Sequence, residues 1–350
     1  MQRIDRRTYL TLLAGGTILL AGCAGDEDAD SDEASSRNDE TGTDSRQRSE
    51  RDESEDEDEQ SDPSTADEMP ADLAVGDPID IGSLTLVVAD FERANDVPVG
   101  ENDEVLEADE GEAFGVVDLA VQQTGDEAVI AVDDVVTVDL GADEDGREYD
   151  RVAVTADETA EVIDPVTSRL APGEVARGDL VFEIDDADGF VLDLESGGET
   201  ITVDLETESE SSTVLEQDLS NVHSFGQGIE MAGMTVTVAT LEQGNNLGGF
   251  MQSDEGHETV AVGIDIENAS GRERTLAPKQ VHLKDELGRS YADAPGVLRA
   301  LEGVDGHVLQ DGDEHEGTVI YQVEDGLGEL YWAFDFSEWG ENRRAFWQLR

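Results

Sequence analysis

Lysine is almost missing from this sequence. Only Lys279 and Lys284 occur in 350 residues, and with the arginines they make 21 basic side chains against 87 acidic ones, a formal net charge of −66. That balance excludes nucleic acid as a partner, because neutralising phosphates takes clustered Lys and Arg. Cysteine is scarcer still: Cys23 stands alone, so no disulfide forms within the chain and no thiolate metal cluster is available. No apolar run reaches the roughly 20 residues that a spanning helix needs. No segment holds a helical apolar period for three turns, which argues against helical domains and βαβ units. Nucleophile elbows, phosphate loops and dinucleotide fingerprints are also missing. Acidic residues are so abundant that any pairing of two of them is uninformative, so neither an enzyme nor a cofactor is expected.

What is present begins with the N-terminus, DRRTYLTLLAGGTILLAGC. Arg6 and Arg7 precede an uncharged run from Leu10 to Ala21, the length of a signal-peptide core. The paired arginines with Tyr9 and Leu10 behind them resemble a twin-arginine export signal. Leu20-Ala21-Gly22-Cys23 resembles a lipobox, which makes Cys23 the expected lipid anchor and residues 1–22 the cleaved signal. Residues 23–72 are acidic and nearly devoid of large apolar side chains, so they are expected to be a disordered, charge-extended stalk. A surface this acidic repels itself at low ionic strength. Near 1 M salt the screening length falls to about 3 Å, so the composition points to a haloarchaeal type of source.

From Leu73 onward the texture is short apolar runs of four to eight residues, broken by Gly, Asp and Pro about every ten residues, as half-buried strands require. The run contains an internal repeat. Gly76-Asp77-Pro78-Ile79-Asp80-Ile81-Gly82-Ser83-Leu84 lies over Gly226-Gln227-Gly228-Ile229-Glu230-Met231-Ala232-Gly233-Met234 without a gap. Val117-Asp118-Leu119 answers Val262-Gly263-Ile264, and Gly146-Arg147-Glu148-Tyr149 answers Gly288-Arg289-Ser290-Tyr291. Leu170-Ala171-Pro172-Gly173-Glu174 answers Leu309-Gln310-Asp311-Gly312-Asp313. The expected fold is all-β: two tandem immunoglobulin-like β-sandwiches, residues 73–205 and 225–350, joined by a polar linker at 206–224. A barrel is the alternative that the pattern leaves open.

These repeated elements resemble an uncharacterised family of extracellular immunoglobulin-like domains carried by bacterial and archaeal lipoproteins. Some of its members bear a telomeric-repeat-binding-factor-like label, and its fold is shared with a secreted actinobacterial antigen. The resemblance rests on the Gly-x-x-Ile opening strand, the Val-Asp-Leu-Ala-Val and Gly-Ile-Asp-Ile-Glu central strands, the Asp-Gly-Arg-Glu-Tyr turn, and the Leu-x-x-Gly-Glu-x-x-x-Gly-x-Leu-Val-Phe strand. It implies structural roles: Tyr149 and Tyr291 as anchors, Phe182 and Tyr321 facing a core. It carries over no catalytic residue.

Three local features remain as candidate sites. Asp186, Asp188, Gly189 and Glu195 match four positions of a calcium loop, but Ile184 occupies the first ligand position and the flanks read as strands, so a hairpin turn is the expected structure. His223, His257, His282, His307 and His315 show no metal-ligand spacing and are expected on the surface. The C-terminal run LYWAFDFSEWGENRRAFWQLR interleaves Trp339, Arg343, Arg344 and Trp347, a composition that suits a partner-binding patch; the alternative is a tail folded over the second sandwich to close its edge. The expected protein is therefore a lipid-anchored surface protein on the outer face of the membrane, binding an extracellular protein or glycan. The rival is a solute- or metal-binding lipoprotein that serves a membrane transporter.

Overall fold

Strand follows strand because the apolar residues alternate. Leu84, Leu86 and Val88 point inward from Leu84–Ala94 and are buried against Val117, Leu119 and Val121 of Glu112–Gln123. The computed structural model describes residues 73–98, 105–126, 128–142, 147–152, 164–185, 189–247, 251–253, 256–291 and 307–350. Arg6, Arg7, Cys23 and the acidic tract to residue 72 lie outside the described residues, as do Asp186 and Asp188.

The first copy stacks two sheets. One runs Leu73–Val75, Glu199–Glu208, Phe190–Ser196, Thr137–Ala142, Arg147–Tyr149; the other runs Arg151–Val152, Val175–Asp185, Glu112–Gln123, Leu84–Ala94, Pro78–Ile81. The second copy repeats the order. Val222–His223, Arg344–Gln348, Leu330–Asp335, Val281–Asp285 and Ser290–Tyr291 form one sheet, and Gly228–Met231, Met234–Gly244, His257–Asn268 and Glu314–Glu324 the other. In both copies the first strand pairs in parallel with the last. The protein is thus all-β, two tandem immunoglobulin-like sandwiches, and both fall within one compact unit.

A β-bulge recurs at the same place in each copy, at Ala89 between Val88 and Asp90 and at Ala239 between Val238 and Thr240. One extra residue reverses which parity faces the core. It therefore keeps Asp90 outside while Phe91 packs inward, and Leu241 does the same in the second copy. The anticipated anchors are in place: the Tyr149 hydroxyl donates to Asp185 Oδ1 at 2.8 Å, and Phe182 and Tyr321 are buried.

The cores differ in kind. The first is mainly aliphatic, whereas the second gathers Tyr291, Tyr321, Trp332, Phe334, Phe336, Trp339 and Trp347. Two expectations are corrected here. Val175–Asp185 and Phe190–Ser196 do not pair as a hairpin, because they belong to different sheets. Nor are all the histidines at the surface: His315 is buried, and both ring nitrogens of His282 are shielded from solvent.

Candidate functional site at the junction of the two sandwiches

The polar segment after Glu208 is packed along its length. Ser209 and Thr213 donate their backbone N–H groups to Val75 and Gly76 carbonyls at 2.8 and 2.9 Å. Leu215 buries itself among Val87, Ala120 and Val175. Gln217 then clasps both copies: its backbone N–H donates to Glu286 O at 2.8 Å, its Oε1 accepts from Val175 N at 3.0 Å, and its Nε2 donates to Asp285 O at 3.4 Å. Leu219 completes an apolar contact with Val129 and Ala171 of the first copy and Ala333 and Phe346 of the second. Gly173 is required at this crossing. Its φ is +78°, and a Cβ there would stand 1.9 Å from Asp218 O.

At the centre of the junction lies a fully buried carboxylate. Glu174 uses Oε2 to close its own turn, accepting from Ala171 N at 2.8 Å. Its Oε1 accepts from Lys284 Nζ at 2.7 Å and Arg344 Nη1 at 2.8 Å, both from the second copy. Arg344 also donates through Nε to Asp335 Oδ2 at 3.0 Å, and Lys284 donates to Val175 O at 2.8 Å. Burial opposes ionisation of Glu174, but Arg344 and Lys284 overcome it and hold its carboxyl below the ordinary value. Asp335 is likewise held low: burial opposes its charge and Arg344 restores it.

The repeat shows how this arrangement arose. In the second copy Asp313 closes the equivalent turn by accepting from Gln310 N at 2.8 Å, yet it is exposed and meets no cation among the described residues. The receiving face differs too. Leu140 pairs with Tyr149 as Leu283 pairs with Tyr291, so Asp139, Gly141 and Asp193 of the first copy stand where the second has His282, Lys284 and Ala333. The first copy keeps that face acidic; the second has made it basic and partly apolar.

Beside the ion cluster is a cavity of about 410 Å³, bounded by Asp164, Thr167, Ser168 and Arg169 from the first copy and by Lys279, Gln280, His282, Lys284, Asp335, Ser337, Glu338 and Arg344 from the second. Both lysines of the protein line it. Arg169 at its mouth donates to Asn342 Oδ1 at 2.5 Å and forms no ion pair among the described residues. His282 has no hydrogen-bond partner on either nitrogen, and burial first, then Arg344 and Lys284, push its pKa down to about 3, so it is neutral.

Trp339, Arg343, Arg344 and Trp347 do not come together as a surface patch. Trp339 and Trp347 are buried in the core, donating through Nε1 to Thr275 O at 2.9 Å and Gln227 O at 3.0 Å. Arg344 is taken up by the ion cluster, and only Arg343 remains exposed. Aromatic residues that fill a core cannot also present a surface, so the alternative, a tail that closes the second sandwich, is the one realised. Gly189 and Glu195 of the calcium-like loop are described, and no group of three or more metal-ligating side chains occurs among the described residues. The cavity residues went unread in the sequence, although one signal was there: the only two lysines flank His282 within six positions.

Solved structures similar to this chain each align with little more than a third of it. They include an uncharacterised β-sandwich protein of Clostridium difficile 630 at 15% identity, covering 39% of this chain and 95% of that one, with a TM-score of 0.29. A conserved hypothetical protein of Bacillus anthracis aligns at 18% identity over 37% and 94% of the two chains, TM-score 0.28. The YjhA protein of Bacillus subtilis aligns at 12% identity over 37% and 100%, TM-score 0.28. No curated protein matches the chain. The model of the family described as Domain of unknown function (DUF4352) matches residues 73–203 and again residues 223–344, one match for each sandwich. With most of its length accounted for by two tandem copies of that domain, this chain belongs to the DUF4352 family.

Proposed function

We propose that this is a lipid-anchored surface protein of a salt-adapted cell, whose two sandwiches form a rigid head with a non-enzymatic binding or structural role. The observation that carries the reading is the position of Cys23: the only cysteine ends an uncharged run that follows paired arginines and precedes a long acidic tract. On this reading residues 1–22 direct export, Cys23 is lipidated, and residues 23–72 hold the head away from the membrane. The net charge of −66 supports a high-salt medium. The non-enzymatic part rests on the sequence, which offers no nucleophile or phosphate-binding motif.

The rival role, a solute-binding lipoprotein serving a membrane transporter, is favoured by one observation. Residues of both sandwiches line a cavity of about 410 Å³ at the junction, within the size range of small-molecule sites. Mass spectrometry of the native protein from membranes, beside a Cys23→Ser variant in a high-salt host, tests the anchored reading. A lipid-modified Cys23 at the mature N-terminus, with the variant shed or retained as precursor, is the expected result. An unmodified Cys23 with residues 1–22 still attached would overturn it.

A further inference from the structure

The charges around the junction cavity run against the rest of the protein. The chain carries about four acids for every base, yet four of the seven charged residues lining the cavity are cations. Two of these retain binding capacity. Arg344 spends Nε on Asp335 and Nη1 on Glu174, which leaves Nη2 outside both pairs. Among the described residues Arg169 meets only the neutral amide of Asn342 and no carboxylate.

His282 supplies a second observation. A neutral imidazole has one nitrogen that donates and one that accepts, and here neither is met. Leaving such groups buried and unpaired is costly, so a native site that keeps them calls for a partner. Both nitrogens are shielded from solvent in this structure, and the His282 side chain borders the cavity. The hydroxyls of Thr167, Ser168 and Ser337 line the same space, and no aliphatic or aromatic hydrocarbon side chain does. A volume of about 410 Å³ lies within the usual range for small-molecule sites.

We infer that the cavity is a binding site for a small oxyanion that also carries a hydroxyl, a sugar acid or a phosphate, held by Arg169, Arg344 and His282. A carboxylate or phosphate accepts from guanidinium nitrogens in the forked geometry that arginine favours. The hydroxyl, or a protonated phosphate oxygen, donates to the accepting imidazole nitrogen while an oxyanion oxygen accepts from the other. The inference concerns the head alone and holds whether or not Cys23 is lipidated.

Isothermal titration calorimetry of the full chain tests it, at the lowest chloride concentration at which the chain stays folded. The probes are glucuronate, inorganic phosphate and, as the neutral counterpart, glucose. The expected result is saturable one-to-one binding of at least one anion, at least tenfold tighter than glucose. Arg169→Gln and His282→Leu should each weaken it at least tenfold, and Arg169→Gln should leave Tm unchanged because Asn342 is the one side chain that Arg169 holds among the described residues. Glucuronate binding tighter than phosphate assigns recognition to the hydroxyls as well as the oxyanion; equal affinity assigns it to the oxyanion. Absence of saturable binding of both anions, or binding that neither variant weakens, overturns the inference.

Discussion

Replacing Glu174 by Gln tests the account of how the two sandwiches are held together. The substitution keeps the volume and removes the one carboxylate facing both Lys284 Nζ at 2.7 Å and Arg344 Nη1 at 2.8 Å. Breaking a buried ion pair from one side costs about 3–5 kcal/mol, because the remaining charge stays desolvated without its partner. Asp335 still faces Arg344, whereas Lys284 is left with a carbonyl, so the lower half of that range is expected. The protein supplies its own control. Asp313→Asn alters the equivalent turn in the second copy, which is exposed and has no cation among the described residues, and should cost less than about 1 kcal/mol.

All three tryptophans, Trp332, Trp339 and Trp347, belong to the second sandwich, so fluorescence follows that copy while far-UV circular dichroism follows both. In the parent chain the two denaturation curves should coincide; in Glu174→Gln they should separate as the sandwiches uncouple. The pH dependence has a definite sign. A carboxyl held below its ordinary value of 4.5 contributes stability above that pH and loses it as pH falls through the folded-state value. Glu174→Gln should therefore flatten the acid limb below pH 4.5. A cost for Glu174→Gln within 1 kcal/mol of that for Asp313→Asn, with coincident curves, would refute the reasoning.

His282→Leu should change stability at higher pH than Glu174→Gln, with the same sign of pH dependence in the parent chain. With its pKa down at about 3 against 6.5 when unfolded, the imidazole protonates first in the unfolded chain, so stability falls as pH drops below 6.5, by about 1.4 kcal/mol at pH 5.5; the variant should lose that component in unfolding measured from pH 8 to 5. Gly173→Ala should be far more disruptive than Gly312→Ala, since both sit at positive φ but only the first has the Asp218 carbonyl where the methyl group would go; Gly312→Ala is expected to cost about 1–2 kcal/mol in thermal unfolding. Trp339→Ala should cost about 3–5 kcal/mol as a core deletion, and Arg343→Ala should stay within about 0.5 kcal/mol.

The strands and the duplication were legible because both are carried by local periodicity: Leu84, Leu86 and Val88 alternate as any half-buried strand must. The bulges were not, since Ala89 and Ala239 differ from their neighbours only in which residue opposite them pairs. The junction was hidden for another reason. Whether an outward face is wet or buried depends on what packs against it, and nothing local to Asp139 or His282 states that. One clue did lie in Leu330–Asp335, which is buried at every position; aromatic and aliphatic residues on both parities mark a strand covered on two sides. Read as a surface, the same run suggested a patch built on Trp339 and Trp347. Arginine and tryptophan are favoured at interfaces between proteins, but they serve equally at an interface between two halves of one chain.

The joint between the copies is a tip-to-face contact, and that geometry is polymerising by nature: the tip of each unit fits the face of the next, and such contacts propagate into rings or filaments unless the ends fail to match. Here they fail. The tip left over at the far end presents Asp311 and Asp313, and the face left over at the near end presents Asp139 and Asp193. Acid meeting acid offers none of the charge complementarity that joins Glu174 to Lys284 and Arg344. The divergence that fastened the two copies together therefore also made their joint directional, since the acidic turn of the first copy and the cationic face of the second fit one way round only.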